Sequence, residues 1–153
     1  MGFLSFGKKQ NFLTHDETAR IVQSIRDAEK KTSGEVRVYV ESRCKYLNAV
    51  DRAAEIFWQL QMDRTLHRNG ILVYVASLDH QAAIWGDDGI HQKTGELFWK
   101  EEVDKLLALF RGNAYADGIR LVVDDLGETL HQYFPYEAKT DKNELPDDIV
   151  FGD

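Results

Sequence analysis

Asp87 and Asp88, adjacent carboxylates in the stretch AAIWGDDGI, are the residues of this chain best placed to do chemistry. Paired carboxylates suit a hard divalent cation, and a cation held by them can in turn polarise or position phosphate. Three further oxygen donors lie at the ends of neighbouring apolar runs: Glu35 opens EVRVYVE, and Thr65 and Asn69 precede GILVYVA in TLHRNGILVYVA. His67 and Arg68, in the same short stretch, are candidate contacts for an anion. Each also has a purely structural role open to it. Asp87 and Asp88 would make an Asx turn, Glu35 a strand-edge charge and Asn69 a loop cap.

The elements that would bring these residues together are strands. Gly70–Ala76 is a continuous apolar run rich in Val, Ile and Tyr, too short for a helix and suited to a central strand buried on both faces. Residues 77–80 supply a turn, and Gln81–Gly86 reads as a second strand folded back on the first, which sets Asp87 and Asp88 beside Asn69. In Glu35–Glu41, Val36, Val38 and Val40 alternate with more polar residues, marking a strand with one dry face. A helix after Asn48 separates that strand from Gly70–Ala76. Strand, helix, strand in that order predicts a right-handed crossover and parallel pairing, so Glu35 falls on the same rim as Thr65, Asn69, Asp87 and Asp88. Without a cation, the three carboxylates of this rim should repel one another.

The remaining elements are helical. Thr14 and Glu17 have capping-box spacing ahead of a helix carrying Ile21, Val22, Ile25 and Ala28, with Gly34 expected to end it. Val50, Ala53, Ala54, Phe57 and Leu60 form the predicted inner stripe of the helix after Asn48. A third helix is expected over about 95–111, with Trp99, Val103, Leu106, Leu107 and Phe110 on one face. A fourth follows Asn113 and stops before Pro135, its Gly118 and Gly127 allowing close approach to the sheet. The fold class is therefore α/β, with a mixed, mostly parallel small sheet and about four flanking helices. The domain spans 14–135, with an N-terminal extension at 1–13 and a charged tail at 136–153 that is either mobile or, around 149–151, a short edge strand.

Composition narrows the function. A formal net charge of -7 gives no basic footprint for nucleic acid. Cys44 is the only cysteine, which fits a reducing, cytoplasmic setting and excludes an internal disulfide. The start, MGFLSFGKKQNFL, lacks the features of a signal peptide, Phe6 replaces the Ser or Thr of a myristoylation motif, and no segment is long enough to span a bilayer. Phosphate-loop, nucleophile-elbow and zinc-helix motifs are all missing, and Cys44 lacks the Arg spacing of a cysteine phosphatase. His15, His80, His91 and His131 are scattered, and Trp58, Trp85 and Trp99 with Tyr39 and Tyr74 have the spacing of core residues.

The blocks TSGEVRVYVE, FWQLQMDRTLHRNGILVYV, AAIWGDDGI and NELPDD together resemble the TPM domain family, whose members include thylakoid-lumen acid-phosphatase-like, photosystem-repair and receptor-modulating proteins. The resemblance covers nearly the whole chain. It implies an α/β/α sandwich, calcium or other divalent binding in some members and weak acid phosphatase activity in plant members. It also implies that the acidic positions fall on Asp87 and Asp88, with Glu35, Thr65 and Asn69 beside them. Many relatives carry a signal peptide and a C-terminal span, which are not found in this chain. Two functions follow as expectations: a divalent-cation site, with Asp87 or Asp88 as ligand or base in phosphomonoester hydrolysis, or a non-catalytic module docking a protein partner on the same acidic rim.

Overall fold

The computed structural model describes residues 12–137 and 149–152. Helix α1 (His15–Glu29) starts where Thr14 accepts from the Glu17 N–H at 3.0 Å while the Glu17 carboxylate accepts from the Thr14 N–H at 2.9 Å. The reciprocal box satisfies two of the orphan donors of the first turn. Strand β1 (Glu35–Glu41), helix α2 (Ala49–Gln59) and strand β2 (Gly70–Ala76) follow, with Asn48 capping α2 through the Val50 N–H at 2.8 Å. Strand β3 (Gln81–Gly86), helices α3 (Asp88–Thr94), α4 (Glu96–Arg111) and α5 (Tyr115–Tyr133), and strand β4 (Val150–Phe151) complete the described order.

The four strands form one sheet in the order β3-β2-β1-β4. The predicted crossover is present: β1 and β2 are parallel, with Glu35 opposite Gly70 and Glu41 opposite Ala76. The hairpin is present as well, with Ile71 opposite Gly86 and Ala76 opposite Gln81. At the other edge, Val150 and Phe151 pair parallel with Tyr39 and Val40. The NELPDD block lies outside the described residues.

Two apolar layers sandwich the sheet. Val36, Val38, Ile71 and Val73 face α1, α4 and α5 through residues such as Ile25, Leu106 and Val122, whereas Leu72, Tyr74 and Ala83 lie under Ala53, Ile56 and Phe57 of α2. All seven residues of β2 are buried, as a central strand requires. Among the described residues, no helix is long and apolar enough to cross a membrane.

Some local expectations are corrected. Helix α1 stops at Glu29, well before Gly34, where an added Cβ would lie 2.7 Å from a Leu130 methyl and 3.1 Å from the Asn69 carbonyl oxygen. Gly127 admits a helix, not the sheet: its missing Cβ would sit 2.6 Å from the Ala28 Cβ of α1. Gly118 likewise faces Leu106 and Leu109 of α4. Val50, placed in the inner stripe of α2, is 44 % exposed, and Ile56 takes the buried position. A short helix, α3, follows Asp87, where an Asx turn at Asp87 and Asp88 is the structural expectation. It ends at Gly95, whose φ of 78° is the left-handed conformation that separates α3 from α4.

Candidate functional site

The site is assembled at one end of the sheet by backbone pairing. The Glu35 N–H donates to the Asn69 carbonyl at 3.4 Å, and the Asp87 N–H donates to the Gly70 carbonyl at 2.9 Å. Glu35, Asn69 with Gly70, and Asp87 therefore stand in a row across β1, β2 and the end of β3. With strands about 4.8 Å apart, the Glu35 and Asp87 backbones are separated by roughly 10 Å. A cation between them would use the full reach of both side chains, with Asn69 in the middle.

The loop into β2 fixes Asn69. Its N–H donates to Thr65 Oγ1 at 3.1 Å and its side-chain amide donates to Ser33 Oγ at 3.3 Å. Asn69 is fully buried, and its Oδ1 accepts no hydrogen bond among the described residues. Thr65, Glu35 and Asp87 are also buried. Asp88 is different, with 78 % of its side chain in solvent.

Arg68 occupies the centre of this arrangement. It sits at φ 51°, a conformation rare for a side-chain-bearing residue. From there its Nε donates to Asp87 Oδ2 at 2.6 Å and its terminal nitrogen to Asp87 Oδ1 at 2.7 Å, a bidentate fork. Asp87 Oδ1 also accepts from the Asp88 N–H at 2.8 Å, capping α3. The hydrogen bond to Asp87 and then its charge hold the Arg68 guanidinium proton more tightly than usual. Asp88 lies 3.9 Å from the same guanidinium. The expected repulsion among the rim carboxylates is thus answered at Asp87 by a built-in cation.

Of the predicted residues, the structure gathers Thr65, Arg68, Asn69, Asp87 and Asp88 and sets Glu35 at the adjoining strand end. Among the described residues, no group of three or more His, Cys, Asp and Glu side chains forms a metal cage. His67 turns toward Glu137, with Nε2 3.7 Å from its carboxylate, and stacks on Phe134 at 6.0 Å between ring centroids. Gly89 was not singled out from the sequence. A Cβ there would come within 2.1 Å of the His67 carbonyl oxygen and 2.6 Å of the Arg68 carbonyl oxygen, so only glycine lets α3 press against the loop that aims Arg68.

A second polar cluster, absent from the sequence reading, lies at the opposite end of β1 and β2. The buried Glu41 carboxylate accepts from Arg52 Nε and a terminal Arg52 nitrogen at 2.9 Å each, and from the Tyr74 hydroxyl. Arg52 also pairs with Glu55, which accepts from Tyr46. The hydrogen bond to Glu41, opposed by burial, holds the Arg52 proton more tightly, while burial first and Glu41 second push the Tyr74 phenol well above its usual range.

A mixed four-stranded sheet between helical layers, with an arginine-bridged acidic corner at the strand ends, defines a small α/β sandwich of recognisable type. The chain belongs to the TPM domain family, whose model matches residues 8–129. It is similar to the BA42 protein of the psychrophilic bacterium Bizionia argentinensis, solved by NMR: 39 % identity, 92 % of this chain and 96 % of that chain covered, TM-score 0.83. The N-terminal domain of the cg2496 protein of Corynebacterium glutamicum shares the fold at 10 % identity, with 77 % and 74 % of the chains covered and a TM-score of 0.61. No curated protein matches the chain.

Proposed function

We propose that the strand-end rim of Glu35, Thr65, Asn69, Asp87 and Asp88 binds a divalent cation, calcium in preference to magnesium. The observation that carries this reading is the Asn69 side-chain oxygen, fully buried and accepting no hydrogen bond among the described residues. Such an atom ordinarily has a partner, and a hard cation is one that neighbouring carboxylates would share. Calcium suits a rim drawn from separate strand ends because it accepts irregular oxygen shells, whereas magnesium demands a near-ideal octahedron.

In this reading Arg68 is the counter-ion of the cation-free rim. Its side chain is 41 % exposed, which leaves it room to release Asp87 toward solvent when a stronger positive charge arrives. Released, it and His67 are the groups available to contact an anion. A bound cation would supply polarisation of a phosphoryl oxygen, and Asp88, the exposed carboxylate, is then the candidate base for phosphomonoester hydrolysis. The single cysteine favours a cytoplasmic setting.

The test is thermal unfolding with chelator, calcium or magnesium. Calcium at 100 times its dissociation constant should add about 2.7 kcal/mol, a rise of roughly 5–10 °C for a chain of this size, and magnesium less. Asp88→Asn, an exposed change, should fold normally and lose much of the rise. The same proteins assayed on a generic phosphomonoester decide the hydrolytic part: turnover should need the cation and fall in Asp88→Asn. Equal melting temperatures with chelator and with calcium would leave the rim as a docking surface for a protein partner.

A further inference from the structure

The outer edge of β3 lies at the border of the sheet. Among the described residues β3 pairs with β2 alone. A cavity of about 770 Å³ runs along it, lined by the consecutive residues Ala82 to Gly86. Successive strand residues point to opposite faces, so a cavity that touches all five, with Val50 of α2 on one side and Leu97 of α4 on the other, follows the strand edge itself. The edge is recessed between two helices.

The backbone of this edge specifies what it can receive. The Asp87 N–H bond to the Gly70 carbonyl marks Asp87 and Gly70 as a hydrogen-bonded pair, and alternation makes Trp85, Ala83 and Gln81 the other residues bonded to β2. Ala82, Ile84 and Gly86 therefore turn their N–H and C=O groups outward. Three residues spaced by two present a ladder that only another extended chain matches along its length. The walls are apolar and open, Val50 being 44 % and Leu97 66 % exposed. At the mouth lie Asp88 and Glu96, while the one lysine of the lining, Lys100, is engaged 3.3 Å from Asp104. With a formal net charge of -7 on the chain, a second copy brings like charge to an acidic mouth, whereas a basic segment is attracted.

We propose that this groove receives an extended segment of a partner protein, which adds to β3 as a fifth strand, sets apolar side chains alternately against α2 and α4, and places a Lys or Arg at Asp88 and Glu96. The proposal does not rest on cation binding at the rim, but the two sites share Asp88, so a cation held there competes with the basic residue of the segment.

The probe is a displayed library of random twelve-residue peptides panned against the full chain at low salt with chelator present. Enriched sequences should alternate apolar residues and carry Lys or Arg. The best of them should slow amide exchange at least tenfold at Ala82, Ile84 and Gly86, and lose at least tenfold in affinity on Leu97→Glu, an exposed change that leaves the fold intact. No enrichment, enrichment indifferent to Leu97→Glu, or protection away from those three amides overturns the proposal. So does a concentration-dependent dimer of the chain alone that protects the same amides, because the edge would then belong to a second copy.

Discussion

Arg52→Met should be among the most damaging single changes on the α2 side of the sheet. Arg52 is 11 % exposed and Glu41 2 %, and their two N–H···O bonds at 2.9 Å join α2 to the end of β1. The variant leaves a buried carboxylate whose remaining donor of this cluster is the Tyr74 hydroxyl. Removing one partner of a buried ion pair typically costs about 3–5 kcal/mol, because the other charge stays desolvated. For a chain of this length, each kcal/mol shifts the melting temperature by roughly 2–4 °C, so the loss should be at least about 6 °C. Urea unfolding followed by far-UV circular dichroism, with the slope unchanged, measures it directly. Tyr74→Phe, which leaves both arginine bonds in place, should cost less, about 1.5–3 kcal/mol for a hydrogen bond to a charged group. An Arg52→Leu, Glu41→Leu double variant should recover much of the single-variant loss, since neither charge then remains buried. A loss below about 1 kcal/mol for Arg52→Met would refute the reasoning and put the pair among screened surface bridges.

Gly89→Ala should destabilise the fold and loosen the Arg68–Asp87 fork, because the new Cβ meets backbone oxygen at 2.1 and 2.6 Å; a melting temperature equal to the wild type would show that α3 shifts freely. Glu102 is buried, and burial, opposed by Lys105 and assisted by Asp125, raises its carboxyl above the ordinary range. A raised carboxyl contributes stability that is complete below the ordinary glutamate range and lost as pH rises through the folded value. Urea unfolding of Glu102→Gln and wild type should therefore show the gap moving in favour of the variant as pH rises above the ordinary glutamate range, and a gap constant with pH would contradict this.

The sheet was legible because its signals are local. Alternating valines mark β1, an unbroken apolar run marks β2, and the parallel crossover follows from chirality, so the row Glu35, Asn69, Asp87 is legible in the sequence. Helix α3 was hidden because GDDGIHQKT offers turn residues and barely two turns of helix, too few to show a period. Arg68 was read as an anion contact because its true partner, Asp87, is 19 residues away and is reached only through the left-handed backbone at Arg68. Glu41 looked like one more polar residue at the end of a strand. Its burial depends on α2 delivering Arg52 above it, which no strand pattern encodes. Val50 fits an amphipathic stripe yet lines the β3 groove, since periodicity gives the face of a helix but not how far the neighbouring layer extends beneath it.

Cation binding at the rim is tested most directly by following the Asn69 side-chain amide and the Arg68 Nε–H by 15N NMR during a calcium titration to about 10 mM, above the range of even weak protein calcium sites. Both signals should move with the backbone amides of Asp87 and Asp88 along one saturation curve, as Asn69 Oδ1 gains a partner and Arg68 gives up Asp87. Arg68→Gln, which removes the built-in competitor, should saturate at lower calcium. Signals of Asn69 and Arg68 that stay fixed through the titration, or that move only in step with exposed acidic residues elsewhere on the surface, would contradict a cation site at this end of the sheet.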